Sequence, residues 1–181
     1  PDYQEILKKF QVIIITAYDL RKCPRGYRDI FSLSPAERGP FLAEVRDEFR
    51  RFAFELSKLN KIIIISNWEA ENDAPDSKEW PLFAGYLQAR IDGIIMGRNE
   101  AKTLGHPAKV FTAFEFTIVP GFSGRNSGLV ELGGKLRGVD YWSYSSWHSI
   151  GFDYDAETMA ASIRSGIKLI RDFAHTHGLS E

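Results

Sequence analysis

The chain has 181 residues, 44% of them hydrophobic and 26% charged, which suits one globular domain with a sizeable core. A net charge of -1 gives no general attraction to nucleic acid or anionic membrane, and no stretch reaches the roughly 20 apolar residues of a membrane helix. The single cysteine, Cys23, excludes an internal disulfide framework and a cysteine-built zinc cluster while leaving the compartment open.

Tyr3 to Phe10 reads as a short amphipathic segment, and QVIIITAYDL after it as a buried strand ending in Thr16, Tyr18 and Asp19. RKCPRGYRDIFS, Arg21 to Ser32, is charged and broken by Pro24 and Gly26, so a loop is expected there. Ser34-Pro35-Ala36-Glu37 has the form of a capping box with proline at the first helical position. The helix it opens carries Phe41, Val45, Phe49, Phe52, Leu56 and Leu59 as an apolar stripe, with Gly39-Pro40 expected to delay its start by a turn.

Lys61 to Asp73, KIIIISNWEAEND, holds four consecutive isoleucines followed by Ser66, Asn67, Trp68, Glu69, Glu71, Asn72 and Asp73. A β-branched run of this kind is a strand buried on both faces, as in parallel sheets, with its polar residues at the C-terminal end. A helix is expected from Ser77 to about Leu104, with Trp80, Phe83, Leu87, Ile91 and Ile94 inward and possible breaks at Gly97 and Gly105. VFTAFEFTIVP, Val110 to Pro120, is the next strand. Its alternation puts Thr112, Phe114 and Phe116 on one side and Ala113, Glu115 and Thr117 on the other, so that a carboxylate sits mid-strand in need of a partner or a purpose.

GFSGRNSG, Gly121 to Gly128, lacks the spacing of a phosphate loop and reads as a flexible loop. A short helix from Leu129 to Leu136, a strand and loop over VDYWSYSSWHS, Val139 to Ser149, and a helix from near Asp155 to Gly178 complete the chain. Met159, Ile163, Ile167, Ile170 and Phe173 are the expected inward positions of that last helix.

Four strand and helix units in alternation mean an α/β fold with a parallel sheet and right-handed crossovers. Each strand ends in polar and aromatic residues: Tyr18 and Asp19; Asn67, Trp68 and Glu69; Glu115; Tyr144 and Trp147. Unusual chemistry gathered on one sheet edge suits a barrel mouth, and no strand is followed by the glycine-rich turn of a dinucleotide fold. Carboxylates flanked by indoles and phenols suit carbohydrate, whose C–H faces stack on aromatic rings. Glycosidic cleavage needs two carboxyl groups, for which Glu69 and Glu115 are the leading pair.

The segment ISNWEAEND, with PDYQEILKKFQVIIITAYDL before it and FTAFEFTIVP and VDYWSYSSWHS after it, resembles the cellulase-like clan A of retaining glycoside hydrolases. The resemblance covers nearly the whole chain. It implies a partial (β/α)8 TIM barrel of about four units as a single domain over 1–181, a carbohydrate substrate and no cofactor. It further implies Glu69 as acid/base; read from the residues, Glu115 is the other carboxylate of the pair, and Tyr18, Asp19, Asn67, Trp68, Tyr144 and Trp147 are the candidate substrate-binding residues. The clan places asparagine directly before its acid/base, whereas here Trp68 separates Asn67 from Glu69.

If Lys61 to Glu69 is the clan's fourth strand, the chain holds strands three to six and its nucleophile lies beyond Glu181. Glu115 then binds substrate or orients the acid, and the missing barrel strands come from the rest of a longer chain. Pro1 in place of an initiator methionine agrees with that expectation. The competing readings are a carbohydrate-binding barrel without turnover and a barrel enzyme of another class, such as a lyase. His106, His148, His175 and His177 suggest no metal triad, Ser145 and Ser146 lack a nucleophile elbow, and Trp142 is a candidate for either core or sugar stacking.

Overall fold

The computed structural model describes residues 8–17, 29–107, 109–121, 127–150 and 154–177. Four strands, β1 (Val12–Thr16), β2 (Ile62–Ser66), β3 (Lys109–Phe116) and β4 (Tyr141–Tyr144), form one parallel sheet in sequential order. Among the described residues these α-helices accompany it: α1 (Asp29–Ser32), α2 (Pro35–Leu56), α3 (Ala70–Asp73), α4 (Trp80–Thr103), α5 (Gly128–Glu131) and α6 (Ala156–Thr176). The expected α/β alternation is present. The amphipathic segment before Lys8, the loop over 18–28 and the loop over 122–126 fall outside the described residues, while the end of the first loop forms α1, which buries Ile30.

Two helix starts follow from local chemistry. Glu37 reaches back to accept from the Ser34 backbone N–H (2.9 Å) and hydroxyl (2.6 Å), so α2 starts at Pro35. It then runs through Pro40, against the expected delay. The cap and the preset φ of Pro35 stabilise the first turn, and Pro40 withdraws only one backbone donor. At the other end of the chain, the Asp155 carboxylate accepts from the Thr158 N–H (2.7 Å) and caps α6.

Alternation decides which side of the sheet meets the helices. Ile63 and Ile65 of β2 and Val110, Thr112, Phe114 and Phe116 of β3 are buried toward α4, joined by Trp142 and Tyr144 of β4 toward α6. Trp142 meets Phe173 at 4.6 Å and Phe114 at 5.6 Å, so it is a core residue. The inward face of α6 differs from expectation: Ser162, Gly166 and Phe173 are buried and Ile167 is 46% exposed. Small residues win there because Tyr144 lies against the helix, and a Cβ on Gly166 would come within 2.6 Å of its ring.

The opposite sheet face is bare at its N-terminal end, where Val12 and Ile14 are 50% and 70% exposed, and Tyr141, which opens β4 level with Ala113, is 45% exposed. Toward the C-terminal end the same face carries Ser66, Ala113, Glu115 and Ser143. Sheet polarity thus separates an apolar floor from a polar rim.

α2 and α4 pack backbone to backbone. Gly97, expected as a possible break, continues α4, since the α2 chain passes so close that a Cβ there would lie 2.2 Å from the Arg50 carbonyl oxygen. Gly93 meets the Arg46 carbonyl in the same way. Gly97→Ala should therefore cost about 1–3 kcal/mol through overpacking. Gly85→Ala, whose Cβ meets only Leu42 Cδ1 at 3.9 Å, should be neutral or gain up to about 1 kcal/mol from helix propensity. Urea denaturation of the two variants beside the parent chain checks the contrast.

Candidate functional site

Parallel strands send all their C-terminal ends to one rim, and the polar residues of Lys61 to Asp73 follow β2 onto it. Asn67 is 3% exposed and its primary amide acts as a surrogate strand residue. Its Nδ2 donates to the Glu115 carbonyl (3.0 Å) and to the Trp68 carbonyl, and its Oδ1 accepts from the Glu115 N–H (3.1 Å). Both backbone groups of Glu115 are thereby held where β2 has already ended. This amide, expected to bind substrate, spends its hydrogen bonds on locating Glu115.

Glu69 stands at the N-cap of α3 and is 4% exposed. Its Oε1 accepts from the Ser145 hydroxyl and its Oε2 from the Asn72 side-chain amide. Glu115, on the bare face of β3, has one weaker donor, the Ser143 hydroxyl at 3.4 Å. Partial burial pushes the Glu115 carboxyl above its ordinary value, the adjacent negative charge of Glu69 raises it further, and the Ser143 hydrogen bond opposes both. The two glutamates predicted from sequence are thus electrostatic neighbours.

The aromatic residues divide. Trp68 and Trp147 are 39% and 75% exposed on the segments following β2 and β4. Tyr144, expected to bind substrate, stands on the helix side of the sheet instead: it stacks on Phe116 at 5.3 Å, and its hydroxyl joins a hydrogen-bonded chain through Ser149 to Ser162. One residue of strand register separates the rim-facing Ser143 from the core-facing Tyr144, and the pleat sends them to opposite faces. Tyr18 and Asp19 lie outside the described residues.

Two charged residues beneath the rim were not singled out by sequence reasoning. Arg90 of α4 is buried, with its guanidinium over the Phe49 ring (4.5 Å), and donates to the carbonyls of Ala17 (2.8 Å) and Ser66 (3.2 Å) just where β1 and β2 end. An arginine between Leu87, Ile91 and Ile94 on the apolar stripe was its signal. Glu71 has no exposed surface and accepts from the backbone N–H groups of Thr117 (3.0 Å), Ile118 (3.2 Å) and Gly128 (2.7 Å). Burial raises its carboxyl above the ordinary value while these donors pull it back. Its signal was only that it lay two residues from Glu69.

Among the described residues, no group of three or more histidine, cysteine or acidic side chains could hold a metal ion. Comparison with known proteins finds no family model, no curated protein and no solved structure that matches the chain.

The raised Glu115 carboxyl has a consequence for stability. The unfolded chain releases this proton near the ordinary value of 4.5, whereas the folded chain releases it higher, so ionisation costs stability as pH rises through that interval. Glu115→Gln should therefore melt at a higher temperature than the parent at about pH 7, and the difference should vanish below about pH 4. Thermal melts across that range decide the matter, and a variant that melts lower at neutral pH would contradict it.

Proposed function

We propose that the chain is part of a (β/α)8-barrel glycoside hydrolase acting on an oligo- or polysaccharide by a two-carboxylate mechanism, with Glu69 and Glu115 as the pair. The observation that carries this reading is the pair itself: two carboxyl groups from adjacent strand ends on one rim, one of them feeling the other's charge. Sequential parallel strands with a bare inner face supply the scaffold argument. Four such units make half of an eight-stranded barrel, and further strands of a longer chain would cover Val12, Ile14 and Tyr141.

Hydrolysis of a glycoside asks one carboxyl to arrive protonated and the other charged. Glu115 suits the first task, because burial and the Glu69 charge favour its neutral form. Glu69 suits the second, since each of its oxygens receives a hydrogen bond that an anion strengthens. This reverses the assignment expected from the sequence, in which Glu69 is the acid/base. As donor, Glu115 would protonate the glycosidic oxygen as the bond to the anomeric carbon breaks. Glu69 would bond to the anomeric carbon as the leaving group departs, and water, giving its proton to Glu115, would then release the sugar and free Glu69; Trp68 and Trp147 would supply flat faces for neighbouring rings.

A leaving-group series in the full-length protein tests the assignment. Glu115→Gln should lose about 100- to 10,000-fold on glycosides with poor leaving groups and keep most of its activity on activated aryl glycosides, which need no proton. Glu69→Gln should lose both. Wild-type rates for Glu115→Gln on an unactivated oligosaccharide would refute the donor role. Trp147→Ala should raise KM roughly tenfold, the equivalent of about 1.4 kcal/mol of stacking, with kcat little changed. Calorimetric binding of oligosaccharides without any turnover would favour the carbohydrate-binding barrel instead.

A further inference from the structure

Glu71 has no role in the chemistry just described, yet it is a carboxylate with no exposed surface. Both of its oxygens are used: Oε1 accepts from the Ile118 and Gly128 N–H groups and Oε2 from that of Thr117. The chain at Gly128 is fitted to it, since a Cβ there would lie 2.9 Å from Glu71 Cδ. A tie between α3 and the segment after β3 would need no more than this.

Thr117 makes a second bond that changes the meaning of the first. Its hydroxyl donates to the Ser145 carbonyl (2.9 Å), and the Ser145 hydroxyl in turn donates to Glu69 Oε1. The Ser145 N–H is meanwhile held by the Phe116 carbonyl (2.8 Å). Glu69 and Glu71 are two residues apart at the opening of α3, where the Asn72 and Asp73 N–H groups donate to the Glu69 carbonyl (2.9 and 3.1 Å). The path therefore closes on itself, from Glu71 to Thr117 to Ser145 to Glu69 and back through the α3 backbone.

We infer that Glu71 is a positioning residue for Glu69, closing a hydrogen-bonded ring across the ends of β2, β3 and β4 that keeps the Glu69 carboxylate facing Glu115. The inference rests on the two-carboxylate reading for its catalytic meaning, but its geometry is independent of any substrate. Glutamine cannot replace Glu71, because one of the two oxygen positions would become an NH2 group pointing at a backbone N–H. Valine at position 117 keeps the shape and the backbone donor and removes only the link to Ser145.

The test is a carboxyl-carbon NMR titration of the full chain labelled at glutamate, without substrate. Glu69→Gln sets the scale, since removing the neighbouring charge should lower the Glu115 midpoint. Glu71→Gln and Thr117→Val should lower it in the same direction, by at least half as much, as Glu69 swings away. A Glu115 midpoint unchanged from the parent in both variants, with only the melting temperature reduced, would overturn the inference and leave Glu71 a structural tie. Should Glu71→Gln fail to fold, Thr117→Val decides alone. Hydrolysis of aryl glycosides by the parent chain is measured separately: its absence would refute the catalytic reading while the titration still decides the ring.

Discussion

Each strand of this sheet runs parallel to the last and is added on the same side of it, and crossovers between parallel strands are right-handed as a rule. Under those two conditions every crossover helix must fall on one face. Everything else in the molecule is shaped by that. The helix face can be packed to high density, with Phe114, Phe116, Trp142 and Tyr144 seated against α4 and α6. The other face receives no helix among the described residues and keeps its isoleucine and valine side chains in contact with water. Because the strands are parallel, their ends coincide, and the residues that follow them meet on one rim.

Strand ends in a parallel sheet leave backbone donors and acceptors without neighbours, and burying them unpaired would cost roughly 1–3 kcal/mol each. Side chains close the account here. Asn67 pairs with both backbone groups of Glu115, and Arg90 caps the carbonyls of Ala17 and Ser66. Asp140 takes the Thr112 N–H (2.8 Å) just before β4 begins. Glu71 collects three N–H groups after β3 ends. The same substitution of side chain for strand explains why so many polar residues are buried near the rim.

One rim carboxyl, Glu115, works against the fold when it ionises. Glu115 is raised by burial and by Glu69, so its ionisation is paid for elsewhere in the structure.

The sequence alone determined what depends on short-range pattern. Isoleucine runs marked β1 and β2, the alternation of VFTAFEFTIVP placed Phe114 and Glu115 on opposite faces, the Ser34 capping box marked the opening of α2, and periodicity placed that of α6 near Asp155. It also brought Glu69 and Glu115 forward as a candidate pair, since parallel strands place the residues at their C-terminal ends on one rim. Only the tertiary structure decided what depends on which side chain reaches which neighbour. Asn67 turned out to serve Glu115's backbone, Tyr144 fell to the core by one step of the pleat, and Ile167 yielded its inward place to Gly166. Glu71 and Arg90 became central through partners far along the chain: 46 to 57 residues away for the amides that Glu71 holds, and 73 and 24 for the carbonyls that Arg90 caps. Local periodicity carries no information about contacts at such separations, because they exist only once the sheet has brought its strand ends together.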